Sequence, residues 1–175
     1  MKLPKVITHE LRLQRGRAPL ERFLEESAGL GPKRGPLLVQ LPPSLAFDAR
    51  VAGRFFALVR SLYPGPLACE PRHASWLEAG EALLTRYQVA RVGADPERAA
   101  GAGVPGGWPG LIYLRLHGAP RTYWSSYSAA ALGRVAATLR EAAGDAWCVF
   151  DNTASGAAFD NALQLESLMT GQRSA

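Results

Sequence analysis

Lysine is nearly missing from this chain. Of the 20 basic residues only Lys2, Lys5 and Lys33 are lysines, which leaves 17 arginines. Cysteine is almost as scarce: Cys69 and Cys148 share no metal-type spacing and offer no disulfide framework. No apolar run is long enough to span a bilayer. Lys2 and Lys5 are not followed by the apolar core of a secretory signal. Two free thiols without an export signal point to the cytoplasm. No glycine-rich phosphate loop, GxGxxG or GxxxxGK[ST], is present, which disfavours a nucleotide-binding doubly wound fold. No GxSxG elbow is present either, and neither cysteine ends a strand beside a histidine, so nucleophilic catalysis is not expected.

What remains suits one globular domain of 175 residues with 47% hydrophobic content. The net charge of +5 is unevenly placed. Residues 1–34 hold eight basic residues (Lys2, Lys5, Arg12, Arg15, Arg17, Arg22, Lys33, Arg34) against Glu10, Glu21, Glu25 and Glu26, a local balance of +4. That segment reads as a solvated helix face or, alternatively, as a patch attracting phosphate or nucleic acid.

Apolar runs alternate with helical periods along the whole chain. Lys2 to Ile7 is a short extended candidate ending in Thr8-His9. Leu20 to Ala28 reads as a helix, and Leu37 to Val39 as a buried strand stopped by Gln40. Asp48 caps a helix from Ala49 to Leu62 with a stripe of Val51, Phe55, Leu58 and Leu62. Leu67 to Arg72 is a strand. Ser75 and Glu78 form a capping box for a helix to Gln88, and Val89 to Ala94 is a strand. Glu97 to Gly110 has no period and reads as a long loop. Leu111 to His117 is a strand, and Gly118 to Tyr127 a polar aromatic loop. Ser128 caps a helix with Leu132, Val135, Ala136 and Leu139 inward. Ala146 to Phe150 is the last strand and Ala157 to Met169 the last helix. Strand and helix alternate with no hairpin signal, so the expected fold is α/β with parallel βα units, five firm strands and a sixth short one at the start.

LIYLRLHG, Leu111 to Gly118, organises the functional reading. Tyr113, Arg115 and His117 alternate with Ile112, Leu114 and Leu116, so one face of the strand is aliphatic and the other polar. The aliphatic face fits under helices; the polar one fits the inside or mouth of a barrel. Sites of parallel α/β folds lie at the C-terminal ends of strands. There this chain places Thr8, His9 and Glu10, then Gln40, then Glu70, Arg72 and His73, then Asp95, Arg115 and His117, and finally Asp151 and Asn152. Each has a simpler explanation: Asp95 as a turn residue before Pro96, Asp151-Asn152 as a helix cap, Glu70 and Arg72 as an interior salt bridge with Arg115. Their recurrence at one end of successive strands is the signal. Acid–base chemistry would pair Glu70 or Asp95 with His117. Arg72 and Arg115 would hold an anion. A divalent metal would use His117, Asp95, Glu70 and Asp151, although no HxH or HExxH motif supports it.

These segments also resemble the YecE-like family, domain of unknown function seventy-two. The match runs through VITHELRL (Val6 to Leu13), LLVQLPPS (Leu37 to Ser44), EPRHASW (Glu70 to Trp76), ADP (Ala94 to Pro96), YLRLHG (Tyr113 to Gly118), YSAAAL (Tyr127 to Leu132) and VFDNTASGAAFDNA (Val149 to Ala162), in the family's order. The resemblance implies a TIM-barrel-like fold and no established activity. The family's first two βα units have no counterpart here, and Pro71 stands where an apolar residue is usual. The expectation is therefore an incomplete barrel of about six strands over residues 1–170, a frayed tail at 171–175, and a misplaced start or a shortened chain. Its polar strand face would then look into solvent, and the open edges would favour self-association. The expected site is catalytic His117, Glu70 and Asp95, with Arg72, Arg115, Gln40, Trp76, Tyr113, Asp151 and Asn152 binding substrate. The expected function is a cytoplasmic enzyme acting on an anionic or polyhydroxylated small molecule. The alternatives are a nucleic-acid-binding protein or an inactive remnant.

Overall fold

The computed structural model describes residues 1–171; of the tail expected to fray, 172–175 lie outside the described residues. Four main-chain runs pair in parallel and in chain order: β1 (Leu37–Gln40), β2 (Leu67–Glu70), then β3 (Val89–Arg91) with β4 (Gly93–Asp95), and β6 (Leu111–Leu116). β7 (Asp145–Phe150) extends the sheet beyond β6, again parallel. The strand read from Val89 to Ala94 bends at Val92 and changes partner there, β3 lying on β2 and β4 on β6. The Val92 N–H still donates to the Cys69 carbonyl, so the run is continuous. Beside β3 sits a two-residue antiparallel strand, β5 (Gly106–Gly107). A Cβ at Gly107 would fall 2.5 Å from the Val89 carbonyl oxygen, and its φ is +69°, so glycine alone fits. The order never reverses, unlike a doubly wound sheet.

Helices cover one face of this sheet. α1 (Arg17–Glu26), α2 (Ala49–Leu62), α3 (Ser75–Ala79) and α4 (Glu81–Arg86) pack over Leu37, Val39, Leu67, Cys69 and Val89. α5 (Ala129–Arg140) and α6 (Ala157–Thr170) pack over Ile112, Leu114, Cys148 and Phe150. The other face carries Leu38, Ala68, Ala90, Tyr113 and Val149. The alternation read in Leu111 to Gly118 thus holds along the sheet. Asp48 caps α2, its Oδ1 accepting the Arg50 and Val51 N–H groups, and Ser128 caps α5. The buried stripe of α2 is Ala52, Phe55, Phe56 and Val59, one residue round from the expected one; Val51, Leu58 and Leu62 flank it.

Three local expectations are corrected. The N-terminal strand shrinks to a bridge between Lys2 and Leu38, because Pro4 lacks the N–H that would continue a ladder. The Pro4 carbonyl accepts the Ile7 N–H instead, and Val6–Glu10 winds into a helical turn. The helix expected from Ser75 to Gln88 breaks at Gly80 into α3 and α4. Ser75 is no cap: its hydroxyl accepts the Phe47 N–H and hydrogen-bonds His73. β2 stops at Glu70 because Pro71 cannot donate.

The sheet is strongly curled. Laid flat, β1 and β7 would stand about 19 Å apart, four strand spacings. Yet the Trp147 indole on β7 packs against Gly35, next to β1, so closely that a Cβ there would sit 2.7 Å from Cη2. Replacing Gly35 by Val overpacks this contact and should cost about 1–3 kcal/mol in urea melts. Gly133→Ala, where a methyl group meets nothing within 4 Å in mid-helix, should add about 0.4–1 kcal/mol. Equal effects of the two changes would contradict the described curl.

Candidate functional site

Strand parity assembles the site. Gln40, Glu70, Arg115 and Asp151 follow Leu38, Ala68, Tyr113 and Val149 two residues on, so they share the concave face. Gln40 and Glu70 are register partners, and the Gln40 amide donates to both Glu70 oxygens at 3.1 and 3.2 Å. Arg72 Nε donates to Glu70 Oε1 at 2.9 Å. From β6, Arg115 reaches both ways, Nη1 to Glu70 Oε2 and Nη2 to Asp151 Oδ2. His117 Nδ1 lies 3.0 Å from the same Asp151 oxygen, off the line of a hydrogen bond. No protein group hydrogen-bonds its Nε2 among the described residues.

This chain of contacts is buried: Glu70 is 2% exposed, His117 2% and Arg115 9%. The polar face of β6 therefore does not look into solvent as expected, because the curl brings β2 and β7 over it. Burial opposes the Arg115 charge, but the facing Glu70 and Asp151 carboxylates outweigh it and raise its pKa. Burial likewise pushes the Asp151 carboxyl up, and the contacts with His117 and Arg115 overcome this and lower it. Burial raises the Tyr113 phenol. Two guanidiniums and two carboxylates cancel in charge, and each arginine pairs with a carboxylate. The interior Glu70–Arg72–Arg115 salt bridge, the simpler of the two readings, is what forms, and Glu70 has no idle oxygen for acid–base work.

Three expected site residues stand elsewhere. Asp95 is the register partner of Leu116, so its side chain is on the helix face. Its carbonyl, however, accepts the His117 N–H at 2.7 Å and the Tyr127 hydroxyl at 3.2 Å. Trp76 is core: 1% exposed, edge-on to Phe47, its indole N–H given to the Leu45 carbonyl. Asn152 faces α6, donating to Asn161 Oδ1 and the Ser125 carbonyl, and so ties down the loop 118–127. Tyr113 lies one step deeper than Arg115 in the interior layer. Of the ligand set expected for a divalent metal, Asp95 lies on the other face while Arg115 stands between Glu70 and Asp151, and no three His, Cys, Asp or Glu side chains among the described residues are placed to hold a metal.

One site residue went unread. Tyr123 packs edge-on against the His117 ring at 5.7 Å and is 48% exposed, with a φ of +66°. Beside it the exposed Trp124 ring lies under the Arg121 guanidinium, 4.3 Å from its centroid. The density of aromatics after Gly118, whose φ is +88°, was the available signal. On the N-terminal side His9 stands near Arg72; burial, with the charges of Lys5 and Arg72, lowers its pKa. In the basic N-terminal segment Arg17 and Arg22 pair with Glu21 and Glu26, which favours the solvated-face reading.

Removing Arg115 takes from Glu70 one of its two guanidiniums and from half-buried Asp151 its one guanidinium, so Arg115→Met should cost about 3 kcal/mol in denaturant melts, the low end for breaking a buried pair. The depressed Asp151 carboxyl stabilises the fold above its unfolded value of about 3.9. That stability is lost as pH falls through the lower folded value. Asp151→Asn should therefore melt with a flatter pH dependence below about pH 4 than the unmodified protein. An unchanged acid profile would show Asp151 to be uncoupled from the fold.

A family described as "Protein of unknown function DUF72" matches residues 1–175. No curated protein matches significantly. The crystal structure of a DUF72 family protein from Thermotoga maritima has a TM-score of 0.77 to this chain at 25% identity, covering 97% of this chain and 72% of that one. One from Enterococcus faecalis has a TM-score of 0.78 at 20% identity, covering 97% and 73%; it speaks to the fold alone. With the match over its full length, the chain belongs to the DUF72 family of proteins of unknown function.

Proposed function

We propose that this protein is a cytoplasmic acid–base enzyme acting on a neutral, polyhydroxylated small molecule. Its site would lie at the C-terminal mouth of an incomplete (β/α) barrel. Support for the barrel reading comes from parallel strands in chain order and a concave face carrying the polar residues. The single observation carrying the function is the His117–Asp151 pair, held at the end of a charge-neutral buried cluster beside an exposed tyrosine. In this reading Asp151 keeps the proton on Nδ1, and Nε2 takes a proton from a substrate hydroxyl or a water and returns it later in the cycle. The pair is loosely aligned in the free protein, as catalytic hydrogen bonds often are before substrate binds. Glu70 and Gln40 position Arg115, and Arg115 positions Asp151. Tyr123 and Trp124 offer exposed flat apolar faces for a ring, and Tyr113 lies beneath Arg115 in the interior layer. An anionic substrate is disfavoured because Arg72 and Arg115 are both neutralised by carboxylates.

Self-association belongs to the same reading. β7 has no partner on its outer edge among the described residues, and Trp147, Phe159 and Leu163 are exposed beside it. Sedimentation should show mass rising with concentration, and a monomer at every concentration would end that part of the proposal.

The functional test uses NMR-detected titration and turnover with panels of neutral sugars and glycosides and of their phosphates. Neutral ligands should shift the His117 and Tyr123 rings, and Tyr123→Ala should weaken binding about tenfold. His117→Ala should lower turnover by about 10²–10⁴ while sparing binding. Binding confined to phosphates, or turnover indifferent to His117, would overturn the reading. So would tight nucleic-acid binding that falls with salt and with Arg12, Arg15 and Arg17 changed to Ala.

A further inference from the structure

A sizeable cavity lies away from the ionic cluster. It lies on the other side of β6, between α5 and the loop from Pro96 to Gly110, with a volume of about 560 Å³. Its origin is topological. Every other link between neighbouring parallel strands carries a helix, whereas the link from β4 to β6 carries only this loop and the short β5. The outer face of β6 is therefore covered by α5 on one flank and left open on the other. Ile112, Leu114 and Leu116 form the floor, with Ala131 and Val135 of α5 as one wall. Cavities of this size and lining are typical of small-molecule sites.

One end of the groove is polar. Asp95 and Tyr127 both line it, at the level where α5 begins. The Asp95 carboxylate has no cation within ion-pair distance among the described residues, in contrast to Glu70, Glu81 and Asp151. A half-buried carboxylate beside aliphatic walls gains most from a cation with an apolar body. Further down α5, Arg134 and Glu141 also line the groove, one of each sign, so they set no net preference. Burial, followed by hydrogen bonding to Asp95, pushes the Tyr127 phenol up, keeping it a neutral donor and acceptor.

We propose that this groove binds a small organic cation, a primary ammonium group on an apolar body, with the ammonium between Asp95 and Tyr127 and the body over Ile112 and Leu114. The site is also wired to the ionic cluster. The Tyr127 hydroxyl accepts the Gly118 N–H at 2.8 Å and donates to the Asp95 carbonyl, which also takes the His117 N–H. Occupancy should therefore be felt by the backbone of His117 and Gly118. The proposal stands whether or not the acid–base reading is right, since it uses the opposite face of the sheet.

The test uses the full chain and three probes of one shape: hexylammonium, hexan-1-ol and hexanoate. Affinities come from calorimetry and from amide shifts. Hexylammonium should bind at least tenfold tighter than the alcohol, hexanoate should bind weakest, and the His117 and Gly118 amides should move. Asp95→Asn should bring hexylammonium down to the alcohol's affinity. Ala131→Trp, which fills the groove from α5, should abolish binding of all three. Equal affinity for the ammonium and the alcohol in the unmodified protein would overturn the proposal, as would hexylammonium binding that survives Ala131→Trp or is indifferent to Asp95→Asn. The three-probe comparison on unmodified protein decides the matter if either variant fails to fold.

Discussion

Everything at the C-terminal ends of the strands depends on Arg115. Among the described residues its guanidinium is the one cation that touches both carboxylates, buried Glu70 from β2 and half-buried Asp151 beyond β7. Three parallel strand positions are thus stitched across the concave face by one side chain. Taking these ions out of water is costly, and the cost is offset only because each carboxylate meets a guanidinium and further polar contacts. Gln40 and Arg72 complete Glu70; His117 completes Asp151. The planar fork of arginine makes the double contact possible, and lysine, a point charge, could not reproduce it.

The same neutrality shapes what the site can do. A cluster that spends its cations on its own carboxylates has little attraction left for phosphate. It does provide a rigid seat for an imidazole whose free nitrogen stands beside an aromatic loop. The curl that brings Trp147 against Gly35 also sets Glu70 and Asp151 on either side of Arg115, and Glu70, Arg115 and His117 are buried there, where such pairs interact more strongly than in bulk water.

Much of this was legible in the chain. α2 runs from Ala49 to Leu62 behind its Asp48 cap as read, because a capping residue and an apolar period agreed. The parallel strand series was legible from alternation without hairpin signals. So was the polar face of Leu111 to Gly118. Gln40, Glu70, Arg72, Arg115, His117 and Asp151 come together because they share strand parity. Asp95 and Asn152 do not, and parity itself says so: counting by twos from Ala90, on the concave face, places Asp95 on the helix side. Other features were not legible. That Trp76 is core depends on Leu45 and Phe47, some thirty residues away in sequence. That Ser75 serves Phe47 instead of a cap is equally non-local. The Gly80 break lies inside an otherwise helical period. The neutralisation of Arg115 needed the spacing of three strands.

We propose that the ionic cluster orients His117 for proton transfer at Nε2. In the neutral ring the proton must then sit on Nδ1, facing Asp151. Long-range ¹⁵N–¹H correlation spectra of the His117 ring read this tautomer directly in the free protein. A proton on Nδ1 with a bare Nε2 is expected; a proton on Nε2 with a bare Nδ1 would rule this orientation out.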